Sequence, residues 1–450
     1  MKTRILLISL LGLLALTSCD DFLDITPTGK VIAQTGEEFR ALLTYEYHNF
    51  AKDRYMTTLR TDEIQMDVTK SSSTDKDAYL DLWRWKDDNP APTTSYFSWR
   101  TYYHTLYMAN YVIEHQSEIT EATTAEINQL VGEAYMLRAY CHFLLVNLYA
   151  EPYTHCTPET TTRGIPMQLE ADVTAILGCS SVEAVYEQVL NDLDKAEQYL
   201  QIETWEVGKN YRFNKPSVQA LRARAFLYMG DWEKALTAAA TLLETCNKLE
   251  DLNSSKILPN SYKSVESIIS LECFSSNLYT VINMPSIDFI NTYRTGDQRK
   301  TKFYKKVTSS SYTLQKGGGD EFVSSFRIAE LYLTAAESAA RLGDTEEAIG
   351  YLTPLLEKRL NKSALSTATT LINEMTEEEL IQEILDERAR ELAFEGHRWY
   401  DLRRTTQPVL TRDYDGVTYT LTSQKYTMCF PSEAVAANPE IERWEPKTKE

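Results

Sequence analysis

Trp83-Arg84-Trp85-Lys86-Asp87-Asp88-Asn89 places two indoles among cations, carboxylates and an amide. That mixture suits a sugar, whose axial C–H faces stack on aromatic rings while its hydroxyls exchange hydrogen bonds with short polar side chains. On an extended backbone Trp83 and Trp85 face the same way, and Tyr79, Asn89 and Tyr96 extend the surface they would form. The same rings serve equally as anchors that fix a loop on a helical core. Tyr293 and Arg294, with Tyr279 and Phe289, make a second candidate group in a later polar stretch.

A different chemistry is open to Glu387, Arg388, Glu391, Glu395, His397 and Arg398, which can be drawn as a carboxylate–histidine constellation. Their charges alternate at spacings of three and four, the pattern of a salt-bridged helix surface. The block therefore reads as scaffold, with Trp399 and Tyr400 packing rather than stacking on a ligand. The chain has no H-E-x-x-H, G-x-S-x-G, Walker A or EF-hand loop. Its six histidines include no close metal-type pair, since His142 and His155 are thirteen residues apart. No catalytic residue, metal or cofactor is expected, and a glycosidase pair drawn from the 65 acidic residues is the competing enzyme reading.

Such residues need a scaffold, and the patterning makes it mainly helical. Thr35 with Glu38, Thr123 with Glu126, Ser180 with Glu183 and Thr376 with Glu379 are capping boxes, each followed by apolar residues at helical spacing. Gly230-Asp-Trp-Glu and Gly343-Asp-Thr-Glu both follow an Ala-rich helix and precede an amphipathic one. That is tetratricopeptide grammar, so a TPR-like helical layer interrupted by insertions is expected. Helices are placed at about 35–50, 99–249 and 326–404, within one domain from 35 to 450 that ends in a closing segment, 405–450. The irregular, short-strand segments at about 51–98 and 250–325 form the ligand face, because loops laid over a rigid scaffold are where binding sites sit.

With 450 residues, 43% apolar and 25% charged, the chain is globular in composition. Its net charge of −19 excludes general binding to nucleic acid and attraction to an anionic membrane. Lys2 and Arg4 precede an apolar run, Ile5 to Leu16, that is too short to span a bilayer. The run ends in Leu16-Thr17-Ser18-Cys19, which resembles a bacterial lipobox. Residues 1–18 are then a removed signal, Cys19 carries the lipid and 19–34 form the tether. Cleavage removes two cations, Lys2 and Arg4, and moves the charge from −19 to −21. Cys141, amid Leu137, Leu144 and Leu145, reads as a buried small hydrophobe. Cys156 and Cys179 either close a loop as a disulfide or stay as two thiols.

Asp20-Asp21-Phe22-Leu23-Asp24-Ile25-Thr26-Pro27 follows the lipobox. Further on stand Gly132-Glu-Ala-Tyr-Met-Leu-Arg138-Ala-Tyr140, Phe326-Arg-Ile-Ala-Glu330 and the block Glu387-Arg-Ala-Arg-Glu391-Leu-Ala-Phe-Glu395-Gly-His397-Arg-Trp399-Tyr-Asp401. Together with Phe430-Pro431, these resemble the SusD/RagB family across nearly the whole mature chain. The resemblance implies a TPR-like bundle held by lipid on the outer face of the outer membrane, acting as a lid on a SusC-like TonB-dependent transporter. Members capture glycans or, in some branches, peptides, and are not enzymes. The irregular segments here are shorter than in starch-binding relatives, so the particular ligand does not carry over.

Overall fold

The first amides of a helix have no partner within it, so helix starts are set by side chains that can accept from them. In the computed structural model, which describes residues 33–66, 73–156, 163–272, 283–309, 311–317, 323 and 325–441, the boxes at Thr35, Thr123 and Thr376 all form. The leader, Cys19 and most of the tether lie outside these residues.

The first layer holds α1 (Gly36–Asn49), α2 (Ser73–Trp83), α3 (Trp99–Glu114), α4 (Thr124–Tyr149) and α5 (Val182–Tyr199). α4 packs on both α3 and α5. The start of α5 falls one residue later than its box suggests: Ser181, not Ser180, caps it, accepting from Ala184 N. The reason is tertiary. Strand β3 (Cys179–Ser181) pairs antiparallel with β2 (Arg163–Pro166), with Ser181 opposite Arg163, so the extended backbone runs up to the cap itself.

The two Gly-Asp echoes are helical hairpins. α6 (Lys215–Met229) turns into α7 (Trp232–Leu243) through Gly230 at φ +75°, and Asp231 caps the second helix. After α8 (Ile287–Asn291) and α9 (Gln298–Lys302), α10 (Ile328–Arg341) turns into α11 (Thr345–Arg359) through Gly343 at φ +84°, with Asp344 as cap. Both glycines hold the left-handed backbone that a side chain disfavours. α7 packs against α10, so units far apart in sequence stack side by side. α12 (Lys362–Glu374) and α13 (Glu377–Glu391) extend that layer over an apolar cluster of Leu333, Leu352, Leu356 and Ile384. α14 (Arg398–Arg404) and α15 (Ser432–Ala437) complete the helices.

Strands occur only as pairs among the described residues. β1 (Ile64–Met66) pairs with β5 (Asn283–Pro285), β4 (Ser267–Ile269) with β8 (Phe326–Arg327), β6 (Tyr304–Thr308) with β7 (Ser311–Leu314), and β9 (Leu410–Tyr414) with β10 (Val417–Leu421). They gather the irregular segments against the helices. The segment 51–98 is less irregular than its composition suggests, since it contains a 3-10 turn, Arg54–Arg60, as well as β1 and α2.

The charged block of α13 and α14 departs from expectation in place, not in kind. It is a salt-bridged scaffold, but a buried one. Glu391, at 0% exposure, receives Arg299 (3.0 Å), Arg327 (2.7 Å) and Arg359 (2.8 and 2.9 Å), each from a different element. Glu266 takes Arg327 and Arg359 as well, and Glu395 takes Arg327 and Lys316. Sign alternation along one helix reveals nothing of arginines that arrive from elsewhere in the chain. Burial alone would raise the Glu391 pKa, but Arg359 and Arg327 outweigh it and hold the carboxyl well below its usual range. Trp399 and Tyr400 are buried, as packing residues.

Cys141 is fully buried, and burial pushes its thiol pKa well up. The loop-closing disulfide is not formed: Cys156 and Cys179 both carry thiols, and that of Cys156 donates to Pro152 O at 3.4 Å.

Glu391→Gln is expected to cost roughly 3–5 kcal/mol, because it leaves three buried guanidiniums short of one charge. Urea denaturation at neutral pH measures this, and a loss below about 1 kcal/mol would contradict the clamp.

Candidate functional site

Asp81, near the end of α2 and 2% exposed, organises the loop that follows. Its carboxylate accepts from Arg84 Nε (2.7 Å), Ala91 N (2.6 Å) and the Thr94 hydroxyl (3.1 Å). Asp87 takes the Arg60 guanidinium in a bidentate pair at 2.7 and 2.8 Å. Asp53 closes the loop by accepting from Ser98 N and the Tyr102 hydroxyl, both at 2.6 Å. Three buried or half-buried carboxylates thus hold residues 84–98 against the 3-10 turn and α3.

The two indoles do the same. Trp83 and Trp85 are 6% and 1% exposed. Arg412, reaching in from β9, lies 4.8 Å from the centre of the first ring and 4.3 Å from that of the second. It donates to the carbonyls of Leu59, Thr61 and Trp83, while Trp85 Nε1 donates to Arg60 O at 3.0 Å. Burial and the nearby Arg60 push the Arg412 pKa down to about 9, so its charge persists at neutral pH. The rings are loop anchors here and present no open stacking face. The alternation argument fails because the backbone is not extended: Trp83 ends α2, and Trp85 sits at φ +56°. Nothing in the local sequence announces Arg412, whose partner Trp83 lies 329 positions away.

What the anchored loop presents is Tyr96, 45% exposed, with exposed Asn89 and half-buried Lys86. Tyr79 is half-buried on α2. Lys86, Asp88, Tyr96 and Phe97 line a cleft of about 230 Å³, closed on the far side by Met428, Phe430 and α15. Phe430 packs edge-on against Trp99 at 5.3 Å, so the closing segment is seated on the aromatic start of α3.

The second candidate group is internal. Tyr293, 3% exposed, shares its hydroxyl with Tyr304 (2.9 Å) and Arg390 O (2.8 Å). Phe289 packs edge-on against it at 5.9 Å, and Arg294 pairs with Glu383 at 2.6 Å. Tyr279 lies outside the described residues.

Two carboxyls have pKa values suited to a general acid. Burial pushes Asp53 up to about 6 and Glu63 up to about 7. Both are engaged in the interior: Asp53 is occupied as above, and Glu63, fully buried, accepts from Phe394 N (2.8 Å) and the Thr61 hydroxyl (3.0 Å). Burial pushes His142 down to about 3, so it stays neutral in the core. Among the described residues no group of three or more His, Cys, Asp or Glu is placed to hold a metal ion.

Comparison with known proteins follows this geometry. Residues 272–439 match the family model described as the SusD family, and residues 21–227 match one described as starch-binding associating with outer membrane. SusD-like protein P38 of Formosa agariphila is 25% identical over 89% of this chain and 90% of its own length. A SusD superfamily protein of Bacteroides thetaiotaomicron has the same fold, with a TM-score of 0.74 at 23% identity, covering 91% of this chain and 99% of that one. A SusD superfamily protein of Bacteroides fragilis (TM-score 0.76, 20% identity, 92% and 100% covered) and a putative sugar binding protein of Bacteroides vulgatus (0.75, 18%, 92% and 99%) agree.

Trp85→Ala is expected to lose roughly 3–5 kcal/mol of stability, the cost of emptying a packed aromatic site. An unchanged denaturation midpoint would return the indole to the ligand face. Glu63 offers a pH test. Its folded pKa lies above the unfolded one, so the stability it contributes is full below about 4.5 and is lost as pH rises through about 7. Glu63→Gln, which mimics the protonated carboxyl, should therefore gain on wild type by up to about 3 kcal/mol between pH 4.5 and pH 8. Parallel stability curves for the two proteins would refute the assignment.

Proposed function

This chain belongs to the SusD family, and from that premise we propose that it is a lipid-anchored, surface-exposed binding protein of the outer membrane. It captures oligosaccharide fragments and delivers them, chemically unchanged, to a SusC-like TonB-dependent transporter. The observation that carries the glycan reading is the cleft at residues 86–97, where the exposed Tyr96 ring stands beside Lys86 and Asp88 on a loop held rigid from behind. An aromatic face flanked by short polar groups, ordered before the ligand arrives, is what a sugar ring requires. The family description of starch binding at the outer membrane supports the same reading.

The charges of the α13–α14 block support binding over catalysis. The carboxylates of the α13–α14 block are buried and spent on arginines, which hold Glu387, Glu391 and Glu395 below the usual carboxylate range against the effect of burial. A glycosidase acid needs the reverse, a raised pKa within reach of substrate. The lipobox supports attachment through Cys19; no described helix is long and apolar enough to cross a membrane.

Titrating a panel of soluble oligosaccharides against a peptide digest tests the reading by calorimetry. Heat with glycans supports it, while heat with peptides alone identifies peptide capture by the same scaffold. Tyr96→Ala should weaken glycan affinity by about tenfold and leave the melting temperature unchanged. Wild-type affinity in that variant would remove the cleft from the site.

A further inference from the structure

α15 separates two cavities. Ser432, Val435 and Ala436 line the Tyr96 cleft, whereas Glu433, Ala434 and Ala437 line a second space of about 630 Å³. Small-molecule sites run from roughly 300 to 1,000 Å³. The second cavity falls in that range and the first, taken alone, does not.

The inner wall of the second cavity is one stripe of α3. Trp99, Tyr103 and Tyr107 recur every four residues and so lie along a single face. Trp99 is buried and packs on Tyr103 at 4.7 Å, and the Tyr103 hydroxyl donates to Pro166 O at 2.7 Å, which fixes the middle ring. Tyr107, half-buried, is the outermost of the three along the helix. At the mouth, Arg100 of α3 pairs with Glu433 of α15 at 2.9 Å, with 80% and 52% of their side chains exposed. An ion pair that wet contributes little to stability, so its donors and acceptors can be turned to hydroxyls at small cost.

The rim is ordered in advance. Asn438 donates to Leu177 O at 2.9 Å, Gln168 donates to Asp172 O at 2.9 Å, and Asp172 accepts from the amide and hydroxyl of Thr174, both at 2.7 Å. Val173, 79% exposed, adds an apolar edge. The lining carries one cation, Arg100, against Asp172 and Glu433, so it offers an anionic ligand no surplus of positive charge. Its walls come from α3 and α15, with Pro166 at the end of β2 and the segment 168–177 between them.

We propose that this cavity is a second saccharide subsite, and that the ligand is a neutral oligosaccharide long enough to lie across α15 and occupy both cavities. The inference rests on the glycan reading of the Tyr96 cleft. A helix with its side chains is about 10–12 Å across, so the ligand is a chain of several sugar units and not a disaccharide.

Affinity electrophoresis, starting with starch, first selects a soluble polysaccharide that retards the wild-type protein. A size ladder of oligosaccharides cut from it is then titrated into wild type, Tyr107→Ala and Ala437→Trp. One variant removes the outer ring; the other fills the cavity and leaves the Tyr96 cleft alone. Both should melt with wild type, bind the disaccharide as wild type does and lose about tenfold in affinity for the longest oligosaccharides. Wild-type affinity at every length in both variants would overturn the second subsite and leave the cleft reading standing. A wild type that no polysaccharide retards, or that gives heat only with a peptide digest, would overturn both.

Discussion

Three arginines from three segments meet on one buried carboxylate, and much of the molecule hangs from that meeting. Arg299 comes from α9, Arg327 from β8 and Arg359 from α11, and all end on Glu391 at the last residue of α13. Burying several charges together costs more desolvation than their attraction alone returns, unless every lone pair and proton is used. Here they are used: Glu266, Glu387, Glu395, Asp297 and the Glu250 carbonyl take the remaining donors, and Lys316 reaches carbonyls of Glu391 and Ala393 as well as Glu395. Such a cluster is satisfied in one arrangement only, so it sets the position of the strands and helices that supply it.

The geometry passes from there to the ligand face through a short series of contacts. The turn after α13 carries Phe394 at φ +62°, and its amide donates to Glu63. Glu63 stands three residues beyond Arg60, which grips Asp87 of the cleft loop and lies over the Trp399 ring at 4.6 Å. Arg412 then pins both indoles of that loop to the 3-10 turn. Each link is buried or half-buried and hydrogen-bonded, so the loop presenting Tyr96 is continuous with the scaffold. A binding loop gains from such rigidity, because little ordering is left to be done on binding.

Much of this was legible in the sequence where the cause is local. The capping boxes, the Gly-Asp turns and the packing of Cys141, Trp399 and Tyr400 follow from side chains and backbones within a few residues of one another. For the indole pair the sequence leaves platform and anchor equally open. Two tryptophans one residue apart invite an alternating strand, and only the end of α2 and the left-handed backbone at Trp85 turn them inward. Tyr293 misleads for a similar reason, since an aromatic in a polar stretch looks exposed until Tyr304 and Phe289 close around it. The stripe Trp99, Tyr103, Tyr107 follows from helical spacing, but its open side exists only because α15 stands opposite.

By itself, then, the sequence determined that the chain is mainly helical, where several helices begin, that two hairpins share one grammar, and which family the motifs resemble. These are properties of neighbours along the chain, where propensity, capping and turn chemistry act directly. Tertiary structure alone decided which charges are buried, which aromatics remain open and that two cavities flank one short helix. Those depend on groups tens to hundreds of residues apart, such as Arg412 with Trp83 or Glu391 with Arg299, and no local pattern records which distant partner will arrive.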